Sequence, residues 1–386
     1  MGTLKTINWY ERNSKKTIFI VIFFILIAIV FVFETIFDHY NKKNLVNLNY
    51  KYRYILLREF PPLKSTFIYP TQKIMNKSDT LQFKKYIIRS DRNGFIIPSE
   101  KYKNPDKVIV FLGGSTTECE YVEEEKRFPY RVGCILENKL SKKINSYNGG
   151  YAGNNSSHSL FSLMSKVLPL NPTAVIMMHN INDLVILLYE GSYFTKNPSK
   201  SIIITENYTL FRLLGGFIKK FLPNLSHALL QVPIIAENVQ TGQYGDEFAD
   251  IRNRKVISDQ DKAYIINEFG ENIQIFIYIC KAKGIIPVLM TMPSRIKDNP
   301  DKIILNAVNK LRVDLDYQEF KVLFDCMNEV IRCKANENGI MVIDLATQIP
   351  QDGDYMYDIV HLTENGCTKV AEVVSNKLYH LLSKTN

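Results

Sequence analysis

The sequence predicts an α/β protein, a three-layer α/β/α sandwich around a mostly parallel sheet, preceded by one N-terminal transmembrane helix. Two observations predict the sandwich. From Val108 onward, short β-branched runs alternate with longer amphipathic stretches, the pattern of repeated β-α units. The residues best suited to chemistry follow those runs, on the edge where parallel sheets hold ligands. A third observation predicts the helix. Residues 17–37 read TIFIVIFFILIAIVFVFETIF, without a charge before Glu34, and roughly 20 apolar residues suffice to cross a bilayer.

The organisation follows in chain order. Lys5, Arg12, Lys15 and Lys16 precede the apolar run, and Glu34 and Asp38 lie at its far end. This asymmetry puts residues 1–16 in the cytoplasm and the remainder outside a cell membrane crossed once. A cleaved signal peptide is the competing reading. It would have a shorter apolar core and a small-x-small cleavage site, neither of which residues 17–37 offer. Residues 38–105 read as an irregular linker or N-terminal extension, punctuated by Pro61, Pro62, Pro70 and Pro98.

The main domain spans residues 106–386. Its first strand is expected at 108–112, followed by a helix over 128–140 with Val132, Ile135, Leu136 and Leu140 on one face. A short strand at 144–147 ends at Asn148-Gly149-Gly150. A helix over 157–168 and a strand at 174–178 come next. Asn182 and Asp183 are expected in the loop after that strand. An excursion at 184–260 interrupts the rhythm; excursions of that length are usually lids, subdomains or interaction surfaces. Starting beside Asn182, it is expected to cover the site and set substrate choice, with ordinary packing as the alternative. A helix over 261–283, a strand at 285–290, a helix over 317–336, a strand at 340–344 and a helix over 365–382 complete the pattern.

Composition narrows the function classes. The net charge of +9 comes from Lys spread along the chain, without a basic block or basic-aromatic interleaving, so nucleic-acid binding has no support. The six Cys lack Cys-x-x-Cys spacing, so no metal site is expected. Cys119 reads as a buried small residue. His158 and His179 match no role and remain unassigned.

Gly113-Gly114-Ser115-Thr116-Thr117 ends the first strand, a context that exposes a Ser Oγ at a strand-to-helix turn. Alone, it is also good helix-capping sequence. Asp358-Ile359-Val360-His361 lies near the C-terminus, completing the parts of a hydrolytic triad.

The order of blocks resembles the SGNH (GDSL-type) hydrolase superfamily, in a membrane-anchored Gly-Gly-Ser-Thr variant. The blocks are Phe111 to Glu118, Asn148 to Asn154, Asn180-Ile181-Asn182-Asp183, and Asp358 to Leu362, and the similarity runs from about Arg92 to Leu382. Gly114 stands where the family usually has Asp, and Ile181 where it usually has Gly. The resemblance implies an SGNH/flavodoxin-like sandwich and a serine esterase without a cofactor. Ser115 would be the nucleophile, His361 the base and Asp358 its orienting acid, with Ser115, Gly153 and Asn182 forming the oxyanion hole. The implied partner is an ester-bearing glycan or small acyl substrate, with an O-acetyl group on an envelope glycan as the expected ester. Two alternatives stay open: an O-acyltransferase using the same triad, and a non-catalytic glycan-binding or assembly protein. The oligomeric state is not legible.

Overall fold

The computed structural model describes residues 9–43, 51–195, 201–207, 255–310 and 313–384. The chain divides into two compact units, residues 1–54 with 205–229, and residues 55–204 with 230–386. In the first, one continuous helix covers Ser14–Lys43, longer at both ends than the expected 17–37. Within its 24-residue segment Ser14–Phe37, an 18-residue stretch has a mean hydropathy of 3.1. At about 1.5 Å per residue that segment is long enough for a hydrocarbon core of roughly 30 Å. Phe19, Phe23 and Phe24 are all exposed on it.

The second unit is built on a five-stranded parallel sheet. Two short antiparallel strands precede it, β1 (Ser65–Ile68) and β2 (Tyr86–Arg89). The sequence reads as irregular there because four-residue strands are too short to show a period. The sheet strands are β3 (Lys107–Gly113), β4 (Ile144–Gly150), β5 (Ala174–Met178), β6 (Ile286–Met290) and β7 (Met341–Ile343). Their order across the sheet is β7-β6-β5-β3-β4. The β-branched core of β3 is buried on both faces, as a strand covered by helices requires.

Register aligns the strand ends. Gly113 pairs with both Gly150 and Met178, Met178 with Met290, and Met290 with Ile343. Every loop leaving those positions starts from one edge. From β3 the chain crosses to β4 on one side, and from β5 onward it builds on the other. The crevice between the ends of β3 and β5 is therefore the topological switch point, where open α/β sheets hold ligands.

Helices cover the sheet. The helix α1 (Phe128–Leu140) packs against the last helix, Glu364–Leu382. The long helices Asp259–Ala282 and Tyr317–Glu337 pack against each other and against β6.

Three expectations need correction. Asn148-Gly149-Gly150 does not end the second strand but continues it to Gly150, because these residues complete the ladder with Phe111, Leu112 and Gly113. The helix expected over 157–168 is an α-helix only at Ser156–Ser162, passing into a π-turn at Leu163–Val167. Asn182 and Asp183 are not in a loop: they occupy the first turn of a helix, Ile181–Glu190. That helix carries buried Leu184, Ile186, Leu187 and Leu188, so the start of the supposed excursion is core. Residues 208–254, most of the excursion, lie outside the described residues.

Candidate active site

Ser115 opens a single helical turn, Ser115–Glu118, immediately after β3. Gly114, not Ser115, takes the cap position, and its carbonyl accepts from the Thr117 and Glu118 N–H groups. The Ser115 hydroxyl is thus not used for capping. Its Oγ lies 2.7 Å from His361 Nε2. Ser115 is 8% exposed, in reach of the surface but held.

His361 and Asp358 lie on a tight loop before the last helix. Tyr357 N–H donates to the His361 carbonyl at 2.9 Å, and Met356 bridges to Leu362. Asp358 Oδ1 accepts from the backbone N–H groups of Val360 and His361 at 3.1 and 2.9 Å. Asp358 Oδ2 lies 2.7 Å from His361 Nδ1. The carboxylate therefore fixes the ring by its side chain and the loop by its backbone. The Tyr357 ring stacks on the imidazole with centroids 5.5 Å apart.

The electrostatics follow from those contacts. Burial pulls the His361 imidazolium down, but the charge and hydrogen bond of Asp358, with Glu120 nearby, hold it above the ordinary imidazole value. Burial would raise the Asp358 carboxyl; His361 and the two backbone donors bring it below its usual range.

The other two blocks converge on the same edge. The loop after β4 places Gly153 at φ +80°, a left-handed conformation that favours glycine. The Asn182 side-chain amide donates to the Asn154 carbonyl at 2.7 Å. A primary amide has a second donor hydrogen. A Cβ on Gly114 would overlap the Asn182 amide nitrogen. This overlap is the physical reason Gly fits at 114: a larger residue would push Asn182 off the Ser115 turn. Ile181, at the start of its helix, packs its side chain against the hydrophobic core.

All five residues singled out in the sequence thus meet at the switch point. The two unassigned histidines are fully enclosed. His158 Nδ1 accepts from the Asn155 N–H in a helix-capping box. His179 Nε2 lies 2.7 Å from Ser159 Oγ. Cys119 is buried, and burial pushes its thiol well up, which makes it a poor nucleophile.

Sequence reasoning missed four side chains around the site. Glu120 contributes charge to His361, Tyr357 stacks on it, Arg58 donates to the Ala152 carbonyl at 3.1 Å, and Arg295 reaches the Asp358 loop. Arg295 alone left a trace: an Arg set between Met292-Pro293 and Ile296 just after a buried strand.

A scan against protein-family models gives no match, and a search of curated proteins gives none either. Among solved structures, the chain is similar to an acetylxylan esterase, Axe2, from Geobacillus stearothermophilus, at 14% identity and a TM-score of 0.42, covering 71% of this chain and 94% of that one. It is also similar to a lipase/acylhydrolase from Enterococcus faecalis, at 13% identity and a TM-score of 0.40, covering 71% and 96%. Likeness at this level carries no part of the functional reading below.

Proposed function

We propose that this protein is a serine ester hydrolase of the SGNH type, held in a membrane by its N-terminal helix, with its catalytic unit outside the cytoplasm. The observation that carries this reading is the unbroken relay from Asp358 through His361 to Ser115, with 2.7 Å at each link. It opens at the strand edge beside Gly153 and Asn182. Neutral His361, with Nδ1–H donated to Asp358, takes the Ser115 proton at Nε2 as Oγ attacks the acyl carbonyl. The Ser115 and Gly153 N–H groups and the Asn182 amide hold the oxyanion. The imidazolium then protonates the departing alcohol, and water, activated by the same His361, releases the acid and restores Ser115. An O-acetyl group on an envelope glycan is the ester class that a catalytic unit outside the membrane would meet.

One experiment tests chemistry and topology together. Intact cells displaying the full chain are given a membrane-impermeant sulfonated aryl acetate. Acetate is released without lysis, and Ser115→Ala lowers the rate by roughly 10⁴-fold or more. Turnover retained in that variant contradicts the assignment of the nucleophile, and turnover only after lysis contradicts the topology.

A further inference from the structure

Arg295 sits in the loop after β6 and is 2% exposed. Its backbone N–H donates to the Ile359 carbonyl at 2.8 Å, and its Nη1 donates to the Met356 carbonyl at 3.2 Å. Those two carbonyls lie on either side of Asp358 in the chain. The guanidinium is itself locked: Nη1 and Nη2 each donate to Asp79 at 2.7 Å, a two-point pair. Nη2 also donates to Asp301 Oδ2 at 2.8 Å. A planar fork with three acceptors at fixed angles has little freedom, and lysine cannot reproduce that geometry.

The same loop is held at its near end. Thr80 Oγ1 donates to the Gly353 carbonyl at 2.9 Å, and Gln351 Nε2 to the Ile296 carbonyl at 2.8 Å. The early segment that reads as irregular therefore bears on the C-terminal loop through Asp79 and Thr80, more than 200 positions away in the chain.

We infer that Arg295, braced by Asp79, is a positioning residue that sets the register of the Asp358–His361 loop against Ser115. The inference rests on the proposed reading of those three residues as the reacting groups. Arg295 touches neither His361 nor Ser115; it acts through the backbone on both sides of Asp358. Loss of the fork releases the Met356 carbonyl while the backbone bond to Ile359 stays, so residues 356–358 relax. The Asp358–His361 contact then lengthens, and the imidazolium loses the partner that holds it. The other groups near that ring, Glu120 with its charge, Ser115 and Tyr357, are unchanged by the substitution.

The test reads His361 itself and needs no turnover. The full chain, in detergent and labelled at histidine Cε1, is titrated by NMR, with His361→Gln assigning the resonance. In the intact protein His361 titrates above the ordinary imidazole value. Arg295→Lys keeps the charge and is expected to lower that midpoint by about half a unit or more. Aryl acetate turnover in the same variant should show kcat down about ten-fold with KM nearly unchanged, as expected when alignment and not binding is lost. An unchanged His361 midpoint overturns the inference. Should Arg295→Lys fail to fold, Asp79→Asn, at a half-exposed carboxylate, decides by the same two readouts. Ser115→Ala in the turnover assay separates the two ideas. Turnover that ignores Ser115 contradicts the proposed function, whereas a His361 midpoint that ignores Arg295 contradicts the positioning role alone.

Discussion

Two Ser-His-Asp sets lie among the described residues, and one of them has the form of a reactive site. In both, a Ser Oγ is 2.7 Å from a His Nε2: Ser115 with His361, and Ser159 with His179. The second pair also has an acid, Asp183, on the adjoining helix. Its Oδ2 is 3.6 Å from His179 Nδ1, too far for a hydrogen bond. Asp183 Oδ1 instead accepts from the Ser156 N–H at 2.9 Å, the Tyr193 hydroxyl at 2.8 Å and the Ser156 hydroxyl. The side chains of His179 and Asp183 are 1% and 0% exposed, those of His361 and Asp358 26% and 19%.

Burial decides the difference. Without a close carboxylate to offset it, burial drives the His179 imidazolium down to about 3 and lifts the Asp183 carboxyl to about 6. A base so weak gains little by taking a proton from serine. His361, by contrast, is held above its ordinary value by an acid in direct contact. Residue types are shared; what separates the sets is access and a carboxylate committed to its histidine. The inner set pins the turn before Ser156–Ser162 to the start of Ile181–Glu190, close to where Gly153 and Asn182 must stay.

The comparison breaks most sharply at the two acids. Asp358→Asn should lower kcat on an aryl acetate by about 10³–10⁴-fold while leaving KM within a few-fold, because the ring loses its orientation and tautomer. Asp183→Ala should leave kcat within about three-fold but cost about 1–3 kcal/mol of stability, since its donors lose their acceptor. Paired kinetics and denaturant melts read both, and the reverse pattern would exchange the roles assigned to the two sets.

Next in size is the proposed oxyanion donor, Asn182. Asn182→Ala should lower kcat by about 10²–10³-fold, with little effect on KM. A change of less than three-fold would leave the oxyanion to the backbone donors alone.

The smallest effect is on pH. In the proposed mechanism neutral His361 accepts the Ser115 proton, so kcat/KM should fall as pH drops through the His361 value. That value lies above the ordinary imidazole midpoint, so the fall begins on the alkaline side of it. Asp358, held low, stays ionised throughout. His179 is neutral across this range and adds no inflection. A profile flat through the imidazole range would remove histidine as the base.

Much of this was legible in the chain. The runs at Val108 and Ala174 are β-branched and apolar enough to mark buried strands, and their common edge gathers Ser115, Asn182 and His361. The sequence alone ends the second strand at Tyr147 because Asn148, Gly149 and Gly150 are poor strand formers; pairing with β3 overrides local preference there. Asn182 and Asp183 looked like loop residues for the same local reason, yet the buried leucines after them hold a helix. Arg295 and Asp79 were invisible as a pair, because a contact across 216 positions leaves no spacing to read. The decoy is equally hidden: His179 and Asp183 stand at helical spacing in the chain, and burial and the distance to the carboxylate tell them from His361 and Asp358.

The central claim, that Ser115 alone is activated, is tested most directly by a fluorophosphonate probe with the adduct mapped by peptide mass spectrometry. One adduct is expected, on Ser115, lost in His361→Ala and retained in Ser159→Ala. A folded full-length chain that takes no probe, or takes it at Ser159, would contradict it.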